Sequence, residues 1–412
     1  MTWHVAGAPA QLGGGLLVVL LAVVAGRPDL AVLGVPLVLM AAQELLTAGP
    51  TSPLRARIEP GGDSWTARLE LDLPARVGWV RARVSRRSHT PREVVLAARP
   101  ALVVRARSVR TGPQELLSAD VQGIGLGGAG TTEVLRVPAR EVAVPPQARR
   151  VAAVPVPRRL RGHTGQHESR RPGEGGGLRD LAPFGAGDTV RRVDWKTTAR
   201  QSPDLDRLWV RRTFGLAEAH VVVILDSRDD VGPDPRTWSG TLPVRPDDAT
   251  SLDLARQAAD SLTRAYTDVG DRIGVEDLGS LRHPMRAGTG RRHAERVRQW
   301  LAVVRPRGAP RRVARPPKIP QGALVVVVST FLDSEAGDLA LRWRRAGHRV
   351  LAVDVLPPVR SAHLSTRERL AVRLVVLERE DRLASLDAAD VELVRWADPD
   401  VALRRATRRR PR

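Results

Sequence analysis

Two apolar runs at the amino terminus constrain this chain more than any other feature of its sequence. No formally charged side chain precedes Arg27, and the run from Val5 to Gly26 is apolar apart from Gln11. Arg27-Pro28-Asp29 then makes a polar turn. A second apolar run follows from Leu30 to Ala42, with Gln43 and Glu44 near its end and Leu45-Leu46 beyond them. A helix that crosses a bilayer needs roughly 20 apolar residues, so the first run qualifies and the second sits near the lower limit. A turn this short leaves no room for a further crossing, which predicts a tight transmembrane hairpin over residues 1–49. A signal peptide would carry a positive n-region, and Met1 to Gln11 has none. A buried soluble pair would show a polar face at helical spacing, and neither run does. Arg55, Arg57 and Arg68 follow the second run, while Arg27 in the turn is offset by Asp29. The positive-inside rule therefore predicts a location in the cell membrane with the C-terminal domains in the cytoplasm.

The hydrophobic period changes after Thr51. Trp65, Ala67, Leu69, Leu71 and Leu73 alternate with polar residues, as do Val80, Ala82 and Val84, and Leu102 to Val109 continues the style. Pro/Gly punctuation separates these runs, which predicts an antiparallel β-sandwich over residues 50–157. Pro155 to Gly187 is rich in Gly, Arg and Pro and reads as a long connecting loop, so residues 158–209 are set apart as a linking segment. From residue 210 to 400 the pattern is α/β. His220 to Leu225, Ala323 to Val328 and Val350 to Val355 are apolar strands fit for burial on both faces. Arg272 to Leu278 reads as another strand, and Val391 to Trp396 as a last one. Leu252, Ala255, Ala259, Leu262 and Ala265 recur at helical spacing, and Ala294 to Val304 reads as a helix. Strands alternating with helices predict a mostly parallel, doubly wound sheet. A basic tail over residues 401–412 ends the chain.

The chain has 412 residues and a formal net charge of +21, which invites a nucleic-acid or anionic-membrane reading. Lys196 and Lys318 are its only lysines, and the arginines are spread along the whole length except for the tail. Aromatic residues make up only 3%, too few for stacking platforms, so no specific nucleic acid is expected. There is no cysteine, which excludes disulfides, thiolate metal sites and cysteine nucleophiles.

The most distinctive segment is residues 172–200, PGEGGGLRDLAPFGAGDTVRRVDWKTTAR. A Gly-rich stretch leads to Arg179, then Gly187-Asp188, Arg191, Asp194-Trp195 and Ala199-Arg200. This spacing resembles the signature of the domain of unknown function 58 family, with Gly176-Gly177-Leu178 where that family usually has an acidic residue. The order of apolar hairpin, β-domain and a strand ending at Asp226 is similar to the family too. The resemblance implies a von Willebrand factor A-like α/β domain and a MoxR-type AAA+ ATPase as partner. It implies a role in assembling or activating other proteins. On the residues alone, Arg with Asp forms charge-assisted pairs and Trp offers a face to Arg. Asp188, Arg191, Asp194, Trp195 and Arg200 therefore either pin the segment onto the α/β domain or form a partner-recognition surface.

Proteins similar to von Willebrand factor A domains hold a divalent cation with an Asp-x-Ser-x-Ser pattern, a distant threonine and an aspartate. Here the stretch is Asp226-Ser227-Arg228-Asp229-Asp230, with Thr289 and Thr330 as loose candidates for the remaining oxygens. Hard cations want several oxygen ligands. Arg228 puts a guanidinium where the first hydroxyl belongs, so Asp226, Asp230, Thr289 and Thr330 read as a degenerate site. An ion pair of Arg228 with Asp226 or Asp230 is expected in place of magnesium. His163 and His167, spaced for one helix face, lie amid Gly and Arg and read as exposed loop histidines. The expectation is a non-enzymatic, membrane-anchored interaction protein with no cofactor. The rivals are a metal-dependent enzyme using Asp188, Asp194 and Asp226, and a binder of anionic lipid or nucleic acid through the basic tail.

Overall fold

The computed structural model describes residues 3–4, 7–46, 53–60, 66–86, 90–105, 109–115, 117–162, 165–240, 242–279, 284–306 and 316–408. Trp65, His163 and the last residues of the basic tail, 409–412, lie outside the described residues. The chain forms two compact units. One comprises Met1–Val109 and Pro113–Val144, the other Arg110–Gly112 and Pro145–Arg412.

The first unit opens with a pair of apolar helices, Ala8–Val24 and Pro28–Leu46, joined at a turn where Arg27 pairs with Asp29 at 2.6 Å. Gly15 and Gly34 let the two backbones touch: a Cβ added to Gly34 would lie 2.8 Å from the Gly15 carbonyl oxygen. The larger side chains point away from this seam, and Leu16, Leu17, Leu20, Leu33, Leu39 and Leu46 are all more than half exposed. Among the described residues only the second helix, with 19 residues, is both long and apolar enough to cross a membrane. The first has 17. This reverses the ranking expected from the apolar runs, because Pro28-Asp29 joins the second helix and Ala25-Gly26 leaves the first.

After the helices come two antiparallel sheets. Strands Arg55–Pro60, Thr66–Asp72 and Ala101–Arg105 form one; in the other, Val77–Ser85 lies between the edge strand Arg92–Ala97 and the middle strand Ser118–Gly125. Ile58, Leu69 and Leu71 from the first meet Val80, Ala82, Ala119 and Val121 from the second in one core. The alternation read from the sequence is thus the inward face of a layered β-domain.

The second unit is built on a six-stranded sheet. Its strands are β1 (His220–Leu225), β2 (Arg272–Asp277), β3 (Met285–Gly288), β4 (Leu324–Ser329), β5 (Arg349–Asp354) and β6 (Glu392–Arg395), in the order β3-β2-β1-β4-β5-β6. All neighbours are parallel except β2 and β3. Both faces are covered, and the residue alternation of β1 divides two cores. Val221, Val223 and Leu225 face α1 (Ser251–Asp268), α2 (Arg291–Ala302) and α5 (Pro399–Arg408). Val222 and Ile224 face α3 (Glu335–Arg345) and the end of α4 (Thr366–Ala388). Helix α1 starts where Thr250 and Asp253 cap each other's backbone amides, and it buries Leu252, Ala255, Ala259 and Leu262 as the spacing predicts. Tyr266, rather than Ala265, completes that stripe; its hydroxyl donates to the Pro155 carbonyl at 2.6 Å.

The segment expected to be a loop contains a long strand. His167–Pro183 pairs antiparallel with Trp209–Ala217, with register breaks between Ser169 and Pro172 and between Gly173 and Leu178. Backbone pairing needs no apolar alternation, and glycines are at home where a strand bulges. Its composition therefore hid the strand.

Candidate functional site

Open parallel sheets place ligands outside the carboxyl ends of their strands, at the point where the strand order reverses. Here that point lies between β1 and β4, and the chain leaving these strands carries Asp226 to Asp230 and Thr330 to Asp333. Arg228 fills the place. Its Nε and Nη2 donate to Asp226 Oδ1 and Oδ2, both at 2.8 Å, and its Nη1 and Nη2 donate to Asp333 Oδ2 and Oδ1 at 2.8 and 3.0 Å. The Arg228 and Asp226 side chains are 5% and 2% exposed, and Asp226 also accepts from Ser329 Oγ at 2.8 Å. Burial opposes the charge on Arg228, but hydrogen bonds and charges from Asp226, then Asp333, outweigh it and raise its pKa. Two bidentate carboxylates around one guanidinium use its donors almost fully.

Neighbouring groups complete a polar shell. Ser227 Oγ donates to Asp277 at 2.5 Å, and Thr330 Oγ1 donates to Asp229 Oδ2 at 2.9 Å. Asp229 Oδ1 is buried without a hydrogen-bond partner among the described residues. Burial, then the charge of Asp226, pushes the Asp229 carboxyl up to about 7. The turn after β4 is held in an unusual shape: Phe331 has φ 54°, its amide donates to Ser329 Oγ at 3.1 Å, and Arg382 donates to its carbonyl at 3.0 Å. A non-glycine residue in the left-handed region persists only where its surroundings over-determine it.

The structure separates the residues that the sequence grouped as a degenerate cation site. Asp226 and Thr330 come together at the carboxyl ends. Asp230 instead lies beside α1, accepting from the Leu252 amide at 3.3 Å and pairing with Arg110 at 3.4 Å. Thr289 lies at the opposite end of the sheet. Strand β3 runs antiparallel to β2, which pairs Gly288 with Ile273 near the amino end. Arg228 thus pairs with Asp226, as expected, but takes Asp333 in place of Asp230. Asp333, the aspartate that lies beyond Ser329-Thr330 in the sequence, comes from the loop after β4, where strand pairing brings it beside β1 and within reach of Arg228.

The signature residues sit on the ribbon His167–Pro183/Trp209–Ala217 and the turn between its strands. Asp194 caps the helix Trp195–Gln201: its Oδ1 accepts from the Thr197 amide at 2.9 Å, and its Oδ2 accepts from Arg211 Nε. Asp188 Oδ2 accepts from the Gly185 amide and from Arg212 Nη2, both at 3.0 Å. The Thr197 amide and then Arg211 hold the Asp194 carboxyl below its ordinary range; Arg212 and then the Gly185 amide do the same for Asp188. Gly187 has φ +92°, a conformation glycine adopts without a steric cost. Arg179 lies near Asp180 at 3.4 Å.

The other four face outward. Arg191, Trp195, Ala199 and Arg200 are exposed, Trp195 by 59%. Trp195 therefore does not pin the segment. The anchors are Asp188 and Asp194, and their partners Arg211 and Arg212 come from the far strand of the ribbon, which the motif does not include. His167 is not a loop histidine either. It opens the ribbon, and its Nε2 lies 2.9 Å from Oδ2 of the buried Asp271.

Residues 180–366 match the family described as "Protein of unknown function DUF58", so a domain of that family is present from the ribbon to the start of α4. The chain is 28% identical over 203 residues to the uncharacterized protein Rv1480 of Mycobacterium tuberculosis and to the uncharacterized protein Mb1516 of Mycobacterium bovis. Each alignment covers 47% of this chain and 59% of the relative, so the chain spans less than two thirds of the curated relatives it matches. No solved structure matches.

Proposed function

We propose that this chain is a membrane-anchored interaction protein without an enzymatic activity of its own. It works with a MoxR-type AAA+ ATPase in the assembly or activation of other proteins. The observation that carries the reading is the seating of Arg228. In a doubly wound sheet the switch point is the place for a ligand or a cation, and here the chain's own guanidinium occupies it between Asp226 and Asp333. The three carboxylates that the rival enzyme reading would use are each paired with a guanidinium: Asp188 with Arg212, Asp194 with Arg211 and Asp226 with Arg228. The Asp188 and Asp194 carboxyls are held below their ordinary range, so neither is the raised-pKa acid that paired-carboxylate chemistry needs; the one carboxyl at the switch point that is raised to about 7, Asp229, is buried behind Thr330.

Outward on the signature segment are, among others, Arg191, Trp195 and Arg200, residue types enriched at the energetic centres of protein interfaces. The ATPase partnership rests on the resemblance to the DUF58 family, whose domain covers this segment. Membrane anchoring is supported by the apolar helix pair: small residues line its seam and leucines face outward, the arrangement favoured in lipid. The arginines after the second helix favour a cytoplasmic side for the chain that follows it.

The test uses the full chain in detergent and a purified MoxR-type ATPase from the same organism. Saturable binding that falls at least tenfold in Arg191→Glu/Arg200→Glu, with an unchanged unfolding midpoint, is the expected result. No binding by the native chain, with or without ATP, removes the partnership. Release of the native chain from membranes by carbonate removes the anchor.

A further inference from the structure

Helix α4 is 23 residues long, yet only its carboxyl-terminal half packs on the sheet. Arg379 Nε donates to the Thr330 carbonyl at 2.7 Å, Arg382 Nη1 donates to those of Phe331 and Leu332, and Leu383 and Leu386 enter the second core. These contacts set residues 379–382 level with the carboxyl end of β4. The helix then runs down the sheet toward β6, so Thr366 to Leu377 extends past the sheet edge by about 18 Å of helix. The projecting part is firmly started: Ser365 and Glu368 form a capping box, and Arg236 holds Glu368 through hydrogen bonds of 2.8 and 3.0 Å.

This projection is apolar where it should be polar. Leu370, Leu374 and Leu377 are 60%, 64% and 47% exposed. Their spacing of four and then three residues puts them on one face, the seam that pairs helices in coiled coils. The same face carries Arg367 one turn before the leucines, Arg373 at its margin beside Leu374, and Glu378 and Asp381 beyond them. Among the described residues Arg367 has no hydrogen-bond or ion-pair partner, and Glu378 meets only Arg382 of its own helix.

We propose that this face is a self-association surface. Two copies of the chain pair through α4, antiparallel, about a two-fold axis near Leu374. The charge order along the face selects the occupant. In an antiparallel pair the basic turn of one helix lies beside the acidic turn of the other, Arg367 toward Asp381 of the second copy, while the leucines cover one another. A parallel pair would stack like charges. An anionic lipid surface would meet Glu378 and Asp381 as well as the arginine. A self-complementary patch is what a two-fold interface requires. This inference does not rest on the ATPase reading.

The absence of cysteine from the chain makes the test direct. The full chain in detergent, at high micelle excess, is oxidised after Leu374→Cys, after Arg367→Cys, and as a mixture of Arg367→Cys with Asp381→Cys. The expected result is a covalent dimer from Leu374→Cys and from the mixture, and none from Arg367→Cys alone. Sedimentation should show the dimer lost in Leu374→Glu and in Arg367→Asp, and restored when Arg367→Asp is joined with Asp381→Arg. Unfolding midpoints measured at dilutions where the native chain is itself monomeric should stay unchanged, because these side chains are exposed. Monomers throughout, a dimer that survives Leu374→Glu, or self-linking by Arg367→Cys would each overturn the proposal. So would an environment-sensitive label at position 374 that is shielded by anionic vesicles without any cross-link.

Discussion

The chain holds carboxylate–guanidinium pairs of two kinds, and the contrast lies in burial. At the switch point of the sheet, Asp226 and Arg228 are both nearly inaccessible, and Asp333 closes the pair from a second loop. On the ribbon, Asp194 is 7% exposed but its partner Arg211 is 63% exposed. The chemistry is the same and the energetics are not. A buried pair cannot lose one member without leaving an uncompensated charge in a poorly solvated place, whereas water replaces an exposed guanidinium. The first arrangement seats a guanidinium between two carboxylates in a poorly solvated place; the second fastens a segment whose arginine partner stays in water.

The contrast breaks first at Arg228. Replacing it by Met should lower the stability of the second unit by about 3–5 kcal/mol, because Asp226 would remain buried without a partner. Chemical denaturation in detergent reads this, and adding Asp226→Asn should recover much of the loss. A change as small as that of an ordinary surface substitution would mean the pair is not buried in solution.

The next effect is a pH dependence centred on Asp229. Its folded-state pKa of about 7 lies above the ordinary 3.8, so the folded protein holds this proton more tightly than the unfolded chain. Stability from the protonated carboxyl is complete below about 4, declines as pH rises, and is gone above about 7. Asp229→Asn should flatten that part of the profile and make the protein more stable than native at alkaline pH. Parallel profiles for the two proteins would contradict the assignment.

On the ribbon the effects should be smaller. Asp194→Ala removes a helix cap and an ion pair to an exposed arginine, an expected loss of about 1–2 kcal/mol. Trp195→Ala should move the unfolding midpoint hardly at all, within about 0.5 kcal/mol, since the indole faces solvent. A larger loss for Trp195 than for Asp194 would reverse the division between anchors and outward residues.

Legibility in the sequence followed burial. Strands β1, β4 and β5 are apolar throughout their interiors because both of their faces are covered, and the sequence pattern gives their limits to within a residue or two. The helix pair and the alternating strands of the β-domain were equally plain. The ribbon strand His167–Pro183 was missed because its pairing is made by the backbone, through bulges that tolerate glycine. Helix α4 was missed for the opposite reason. Its stretch Leu-Ala-Val-Arg-Leu-Val-Val-Leu is apolar nearly all round, so no helical period stands out. The pairing of Arg228 with Asp226 was visible, since the two are close in sequence and of opposite charge. The pairings made by Asp333, Arg211 and Arg212 were not, because each reaches its partner across a strand pairing or a loop that no local pattern encodes.

The central claim is that the chain's own guanidinium takes the place at the switch point where a cation would sit. Calorimetric titration of the full chain with Mg2+ tests it most directly, with Asp226→Ala as the control. Titrations of the native chain and of Asp226→Ala should be alike, with no stoichiometric binding in the micromolar range. Micromolar one-to-one binding by the native chain that disappears in Asp226→Ala would contradict the claim, for Arg228 would then have to leave the carboxylates to the metal.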